Sequence, residues 1–380
     1  MVREIHSFAA GIFLLSLFTS CRQTVFEPGK DFAMADSIQA IPTTSVFKDS
    51  AWNIWCSSVT KGADNRYHLF YSRWPRKTGH ESWVSHSEVA YAVSDTPEGP
   101  YKPVNVALTA YSATAWDGAM THNPYVLYHD GKYYLYYIAT AGQPLSADSV
   151  LSAYGKEWWT RRNTQRIGLA IATQPAGPWK RMPEPVLTNS EDSTAFDAMC
   201  VTNPAVCIGR NGKVVMLYKA VCKNGTLQGG RVRFSVAFAD RPEGPFVKSN
   251  HLIFQPEDPE ARMVAEDPYI WYDARGDKYY AIVRDVVRQY TGKESGGLAL
   301  MQSDDALEWT PVAHPKVLPP VLKFIDGTVY DTRESGGVER PFLYCNEDGV
   351  PQLLFGAFGI HTRGIHREHS YNAAIPFHLP

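Results

Sequence analysis

The chain consists of short apolar runs separated by turn-forming residues, and two kinds of run alternate along it. In the first kind, a polar residue and a proline open a strand-like stretch, which turns into a second, aromatic-rich stretch. His122-Asn123-Pro124-Tyr125-Val126 leads through Gly131-Lys132 into Tyr133-Tyr134-Leu135-Tyr136-Tyr137. The form recurs at Thr202-Asn203-Pro204, at Glu266-Asp267-Pro268 and, more degenerate, at Glu339-Arg340-Pro341. A fifth copy without the proline is Trp52-Asn53-Ile54-Trp55 before Tyr67-His68-Leu69-Phe70-Tyr71. Each copy predicts strand, hairpin turn, strand.

The second kind of run is apolar or small at nearly every position, as in Val89–Val93, Ile167–Ala172, Val236–Ala239 and the weaker Leu298–Met301. That pattern predicts a strand buried on both faces. Three of these runs end in a Pro-x-Gly-Pro turn, at Pro97–Pro100, Pro175–Pro178 and Pro242–Pro245. Two hairpins per unit, about seventy residues per unit and five units predict an all-β fold, a five-bladed β-propeller of four-stranded antiparallel blades. A β-sandwich with a second domain would not produce two motifs in alternation. The strand that closes the ring is expected from residues near 40 or near 375.

The first residues read as an address rather than as fold. Arg3 precedes the apolar stretch Ala9–Phe18, which is too short to span a bilayer. Leu17-Phe18-Thr19-Ser20-Cys21 resembles a bacterial lipobox, so Cys21 is the expected lipidation site. The expected division is a signal peptide over 1–21, a tether over 22–42 and the propeller over 43–380. The protein is then expected as a secreted lipoprotein on the cell envelope, probing the membrane only through its anchor, and as a monomer.

Composition narrows the function classes. Of 380 residues 44 % are hydrophobic and 20 % charged, which excludes a largely disordered chain. The net charge of −2 argues against a broad nucleic-acid-binding face. Without Cys21 five cysteines remain, an odd number that cannot pair completely, although Cys207 and Cys222 are candidates for a bridge. No zinc-type Cys/His spacing and no Gly-rich nucleotide loop occurs.

The residues around each x-Pro motif should face the central channel, and they are unusually polar. They include Asp49 and Trp52 in the first unit, and Trp116, Asp117, His122 and Asn123 in the second. Asp197 and Asn203 follow in the third, Glu266 and Asp267 in the fourth, Glu339 and Arg340 in the fifth. Asp117 and Asp197 hold the same place in their units, each six residues before an Asn. Converging carboxylates raise one another's pKa, the environment a general acid needs.

This repeat, the Pro-x-Gly-Pro turns and the Trp116–Pro124, Glu266–Pro268 and Glu339–Pro341 runs resemble the glycoside hydrolase family 43 group and its relatives. The resemblance spans roughly residues 43–375. It implies cleavage of a glycosidic bond in an oligo- or polysaccharide by carboxyl groups, by inversion, with no required cofactor and room for a structural calcium. It makes Asp49 the base candidate, Asp197 or Asp117 the substrate-orienting acid, and Glu266 the proton donor. His122 is an alternative donor, as in the related neoagaro-oligosaccharide hydrolases. Trp52 and Trp116 are candidates for stacking on sugar rings, and Arg284 and Arg340 for contacts to substrate. The competing readings are a turn cap for each Asp, burial between blades for the tryptophans, and pairing with the pocket's own acids for the arginines. A carbohydrate-binding propeller without catalysis, and a phosphorylase or retaining relative, are the alternative functions. The His361, His366 and His369 group is a further candidate for lining the channel or holding an ion.

Overall fold

The computed structural model describes residues 33–146, 148–334, 336–346, 349–361 and 367–378. Cys21, the apolar stretch before it and His366 lie outside the described residues. Five four-stranded antiparallel sheets form the blades. Blade I runs through Trp52–Lys61, Tyr67–Pro75, Glu88–Ser94 and Lys102–Leu108. Blade II comprises Met120–His129, Lys132–Thr140, Arg166–Ala172 and Lys180–Arg181. Blade III comprises Cys200–Ile208, Val214–Val221, Val232–Ala239 and Val247–Ile253. Blade IV comprises Ala265–Asp273, Lys278–Asp285, Leu298–Ser303 and Thr310–Lys316.

Blade V takes three strands from the C-terminal part, Val338–Cys345, Pro351–His361 and Arg367–Pro376. Its outer strand is Val46–Phe47, which pairs antiparallel with Ala373 and Asn372. The first residues of the fold thus close the ring against the last. Residues 33–42, expected as tether, are packed against the propeller within the described part. Met34 and Ile41 are buried, and Ile38 and Ile41 form bridges to Phe377 and Phe324.

The hairpins form where the sequence places them. His129 pairs with Lys132 across Asp130 and Gly131, which both adopt positive φ, 47° and 73°. That is the two-residue turn whose twist suits adjoining strands. The third strands are buried along almost their whole length, as their apolar pattern requires. The core is filled by aromatic and aliphatic side chains between neighbouring sheets, among them Tyr136, Leu217, Tyr218 and Phe355.

The cysteines are free in the described structure, and no Cys207–Cys222 bridge exists. Cys207 is buried in the first strand of blade III, where it packs as a small apolar side chain.

Candidate active site

The site is built on a fault repeated in every blade. Each innermost strand contains one residue in the left-handed region: Cys56 (φ 59°), Asn123 (51°), Asn203 (52°), Asp267 (51°) and Arg340 (54°). At each of them the pairing with the second strand shifts register. Such a bulge re-aims the side chains on either side of it. Asn and Asp tolerate this conformation because their short polar side chains bond locally; Cys and Arg do so less readily.

The five bulge residues join in a hydrogen-bonded chain around the channel. The Cys56 thiol donates to Asn123 Oδ1 at 2.8 Å. Asn123 Nδ2 donates to Asn203 Oδ1 at 2.9 Å, and Asn203 Nδ2 to Asp267 Oδ1 at 2.7 Å. Arg340 Nη1 donates to the same Asp267 oxygen at 2.9 Å, and the Arg340 backbone N–H to Asp267 Oδ2 at 3.2 Å. Burial pushes the Cys56 thiol up to about 12, so it stays a donor. Asp267 is also raised, first by burial and then by Glu266 and Glu339, with Arg340 opposing.

The residue before each bulge faces a cavity of about 380 Å³ at this end of the channel: Trp55, His122, Thr202, Glu266 and Glu339. That volume lies within the ordinary range for small-molecule sites. Glu266 Oε1 accepts from Lys219 Nζ at 2.6 Å, and its Oε2 from Arg284 Nη1 at 2.8 Å. The same Arg284 nitrogen stands 2.9 Å from Glu339 Oε1. Burial alone would raise the Glu266 carboxyl, but Lys219, Arg284 and Arg340 outweigh it and hold it at about 2. Lys219 and Arg284 occupy corresponding places, directly across from Thr202 and Glu266 on the second strands of blades III and IV.

Two insertions wall the cavity. Residues 76–86 follow the second strand of blade I and bring His80, Glu81 and Trp83 to the cavity. The stretch between the second and third strands of blade II carries the helix Lys156–Arg162 with Trp158 and Trp159. Trp158 Nε1 donates to the Glu81 carbonyl at 2.8 Å, which ties the two insertions together. Trp83 stacks on His122 with ring centroids 5.1 Å apart, while Ser87 Oγ lies 2.7 Å from His122 Nδ1. Burial, helped by Arg340 and His80, keeps His122 well below the usual imidazole value, so it is neutral at physiological pH.

Several sequence candidates do not reach this cavity. Asp49 follows the closing strand and accepts the Ala51 N–H at 2.7 Å, a turn cap. Asp117 is buried and paired with Arg181 at 2.5 Å, and also accepts from Tyr137 at 3.1 Å. Asp197, its counterpart in blade III, is paired with Lys248. Each of these two acids ties the start of its blade to the same blade's outermost strand. Trp52 lies under Arg73, 4.4 Å from its guanidinium, and Trp116 stacks on Tyr137 and donates to the Pro183 carbonyl. His122, Asn123, Asn203, Glu266, Asp267, Arg284, Glu339 and Arg340 are brought together. In the first unit the equivalent of His122-Asn123 is Trp55-Cys56, not Asp49 or Trp52. The missing proline hid that register.

Lys219, Trp55 and the insertion residues were not singled out from the sequence. A signal for Lys219 existed: it is the charged residue near the end of the otherwise apolar Val214–Val221, as Arg284 is in blade IV. For a calcium the residues are a poor match. Among the described residues no three acids, imidazoles or thiols gather to hold a metal ion, and at the channel it is Arg340 that supplies the positive charge beside Asp267.

No family model matches the chain, and no curated protein matches it in sequence. The likeness lies in solved structures. A family 117 glycoside hydrolase of the marine bacterium Zobellia galactanivorans superposes with a TM-score of 0.56 at 18 % identity, covering 87 % of this chain and 85 % of that one. A thermostable family-43 glycoside hydrolase does so with 0.54 at 16 %, covering 87 % and 91 %. An endo-arabinase from Bacteroides thetaiotaomicron does so with 0.51 at 12 %, covering 89 % and 98 %. The chain is therefore a five-bladed β-propeller of the form these glycoside hydrolases share; at such identities the likeness is one of fold.

Proposed function

We propose that the protein is a glycoside hydrolase whose two working carboxyl groups are Glu266 and Glu339. The observation that carries this reading is the Arg284 nitrogen bridging both carboxylates inside a tryptophan-walled cavity. Two acids on one cation at a shared site are the arrangement from which acid and base roles divide. Glu266, held ionised by Lys219 and Arg284, takes the part of base or nucleophile rather than the proton donor expected from the resemblance. Glu339 is then the group that delivers the proton to the leaving oxygen. The aromatic wall offers flat apolar faces for sugar rings, with polar groups of the channel below them.

The spacing favours retention over inversion. The two bound oxygens lie no farther apart than the sum of their distances to Arg284, 2.8 Å and 2.9 Å. That limit on the nearest oxygens lies closer to the about 5–5.5 Å carboxyl separation of a retaining pair than to the about 6.5–9.5 Å of an inverting one. Export and a lipid anchor at Cys21 belong to the proposal on the sequence pattern alone.

A second reading, a glycan-binding propeller without catalysis, is favoured by one observation: Glu266 is so firmly ion-paired that it is no proton donor as it stands. One experiment separates the two. The purified protein is screened against aryl-glycosides and glycans, with Glu266→Gln and Glu339→Gln alongside. Cleavage lost in both variants supports the hydrolase. Cleavage unchanged in both overturns the assignment, and binding without cleavage selects the second reading.

A further inference from the structure

On the side of the cavity formed by blades II and III, two arginines come together without a carboxylate partner among the described residues: Asn163, next to Arg162, donates to the Leu227 carbonyl at 2.7 Å, and Arg262 donates to the following carbonyl, that of Gln228. Arg162 ends the helix Lys156–Arg162 and lines the cavity. Its Nη1 donates only to Asn163 Oδ1 at 3.3 Å and toward Cys200 Sγ at 3.5 Å. Arg262, exposed in the loop before blade IV, donates to the Gln228 carbonyl at 3.1 Å. The loop that carries Arg262 is held from below by Arg233, which donates to the Ala261 and Arg262 carbonyls, each at 3.1 Å.

The acids close by in the chain are engaged elsewhere. Glu157 accepts from Arg161 at 3.2 Å, and Glu260 from Arg231 at 2.5 Å. Partial desolvation of its guanidinium lowers Arg262 from its usual value, and the like charge of Arg162 adds to it. Arginine stays charged under such pressure, so repulsion within the cluster is relieved by an anion rather than by proton loss. Planar guanidinium forks match carboxylate and sulfate oxygens in pairs.

We propose that Arg162, which lines the cavity, and Arg262 beside it form an anion subsite at the cavity rim, so that the glycan taken there is acidic, with a uronate carboxylate or a sulfate ester held by these arginines. The inference rests on the reading that the cavity binds a glycan. It goes further than the Glu266–Glu339 assignment, because those residues lie on blades IV and V.

The test is calorimetric binding to the full-length Glu266→Gln protein, in which turnover does not interfere. Three tetrasaccharide probes are used: a galacturonan, a sulfated galactan and a neutral arabinan. Binding of one acidic probe, weakened at least about tenfold in an added Arg162→Gln/Arg262→Gln pair and weakened by salt, supports the subsite. Whichever acidic probe binds identifies the group as carboxylate or sulfate. An unchanged melting temperature shows that the variant folds. Equal affinity for neutral and acidic probes, or no loss in the double variant, overturns the inference while leaving the hydrolase reading in place. Acidic binding in a protein that, before Glu266 is changed, cleaves neither these probes nor any aryl-glycoside or glycan of the screen keeps the subsite and removes the hydrolase.

Discussion

Lys219 Nζ stands 2.6 Å from Glu266 Oε1 and joins the second strand of blade III to the first strand of blade IV. The pair is mostly buried, with side-chain exposures of 11 % and 17 %. It sets the charge state of the acid on which the proposed chemistry depends. Replacing Lys219 by Met removes the first cation opposing the burial of Glu266. The Glu266 carboxyl then rises from about 2, and the acid limb of the pH–rate profile moves to higher pH. An unmoved limb in Lys219→Met would separate Glu266 from catalysis.

The same depression predicts a pH dependence of stability. A carboxyl lowered from 4.5 to about 2 on folding stabilises the fold fully above pH 4.5. That contribution fades as pH falls toward 2, when the proton binds the folded state as well. Urea unfolding of the wild type between pH 5 and about pH 2 should therefore lose stability more steeply than that of Glu266→Gln. Parallel curves would contradict it.

Glu266→Gln and Glu339→Gln should each lower kcat by about 10²–10⁴, the usual worth of a positioned acid or base. Asp49→Asn, whose carboxylate caps a turn outside the cavity, should leave kcat/KM within about twofold of wild type. Steady-state kinetics on any cleaved glycan decides both, and a large loss in Asp49→Asn would return that residue to the reacting set.

Asp197→Asn and Asp117→Asn should act on stability instead. Each removes the charge from a buried acceptor bonded to a cation, a loss of about 1.5–3 kcal/mol. Calorimetry should show a lowered Tm for both. An unchanged Tm with abolished turnover would instead place them in the chemistry.

The buried thiols should be silent. Burial pushes Cys56 to about 12, and Cys200 and Cys207 are buried as well. Ellman titration of the native protein should detect none of these three until denaturant is added, as the thiolate is the reacting species.

Much of the fold was legible because its signals are local. A hairpin needs only its turn residues and two alternating flanks, and Asp130-Gly131 between tyrosine-rich runs meets that need without help from the rest of the chain. Five repeats of two hairpins then leave few ways to bury the apolar faces. In four blades the residue that bulges was singled out, through Asn123-Pro124, Asn203-Pro204, Asp267-Pro268 and Arg340-Pro341, although its left-handed conformation and the register shift there were not. Where the proline is absent, at Cys56-Ser57, the register was lost and Asp49 stood in its place.

What the sequence by itself determined is the repeat: which runs pair, how many blades they form, and that Glu266, Asp267, Glu339 and Arg340 share one end of the channel. Only the tertiary structure decided which carboxylates face the cavity. Asp117, Asp197 and Glu266 look alike as acids near a strand start, and all three pair with a cation, the first two fully buried and Glu266 mostly so. The first two meet that cation on their own blade's outermost strand, whereas Glu266 meets Lys219 from the neighbouring blade at the cavity. A partner many residues away in sequence is chosen by how the blades are arrayed around the axis, and that arrangement follows from the packing of whole sheets rather than from any local pattern.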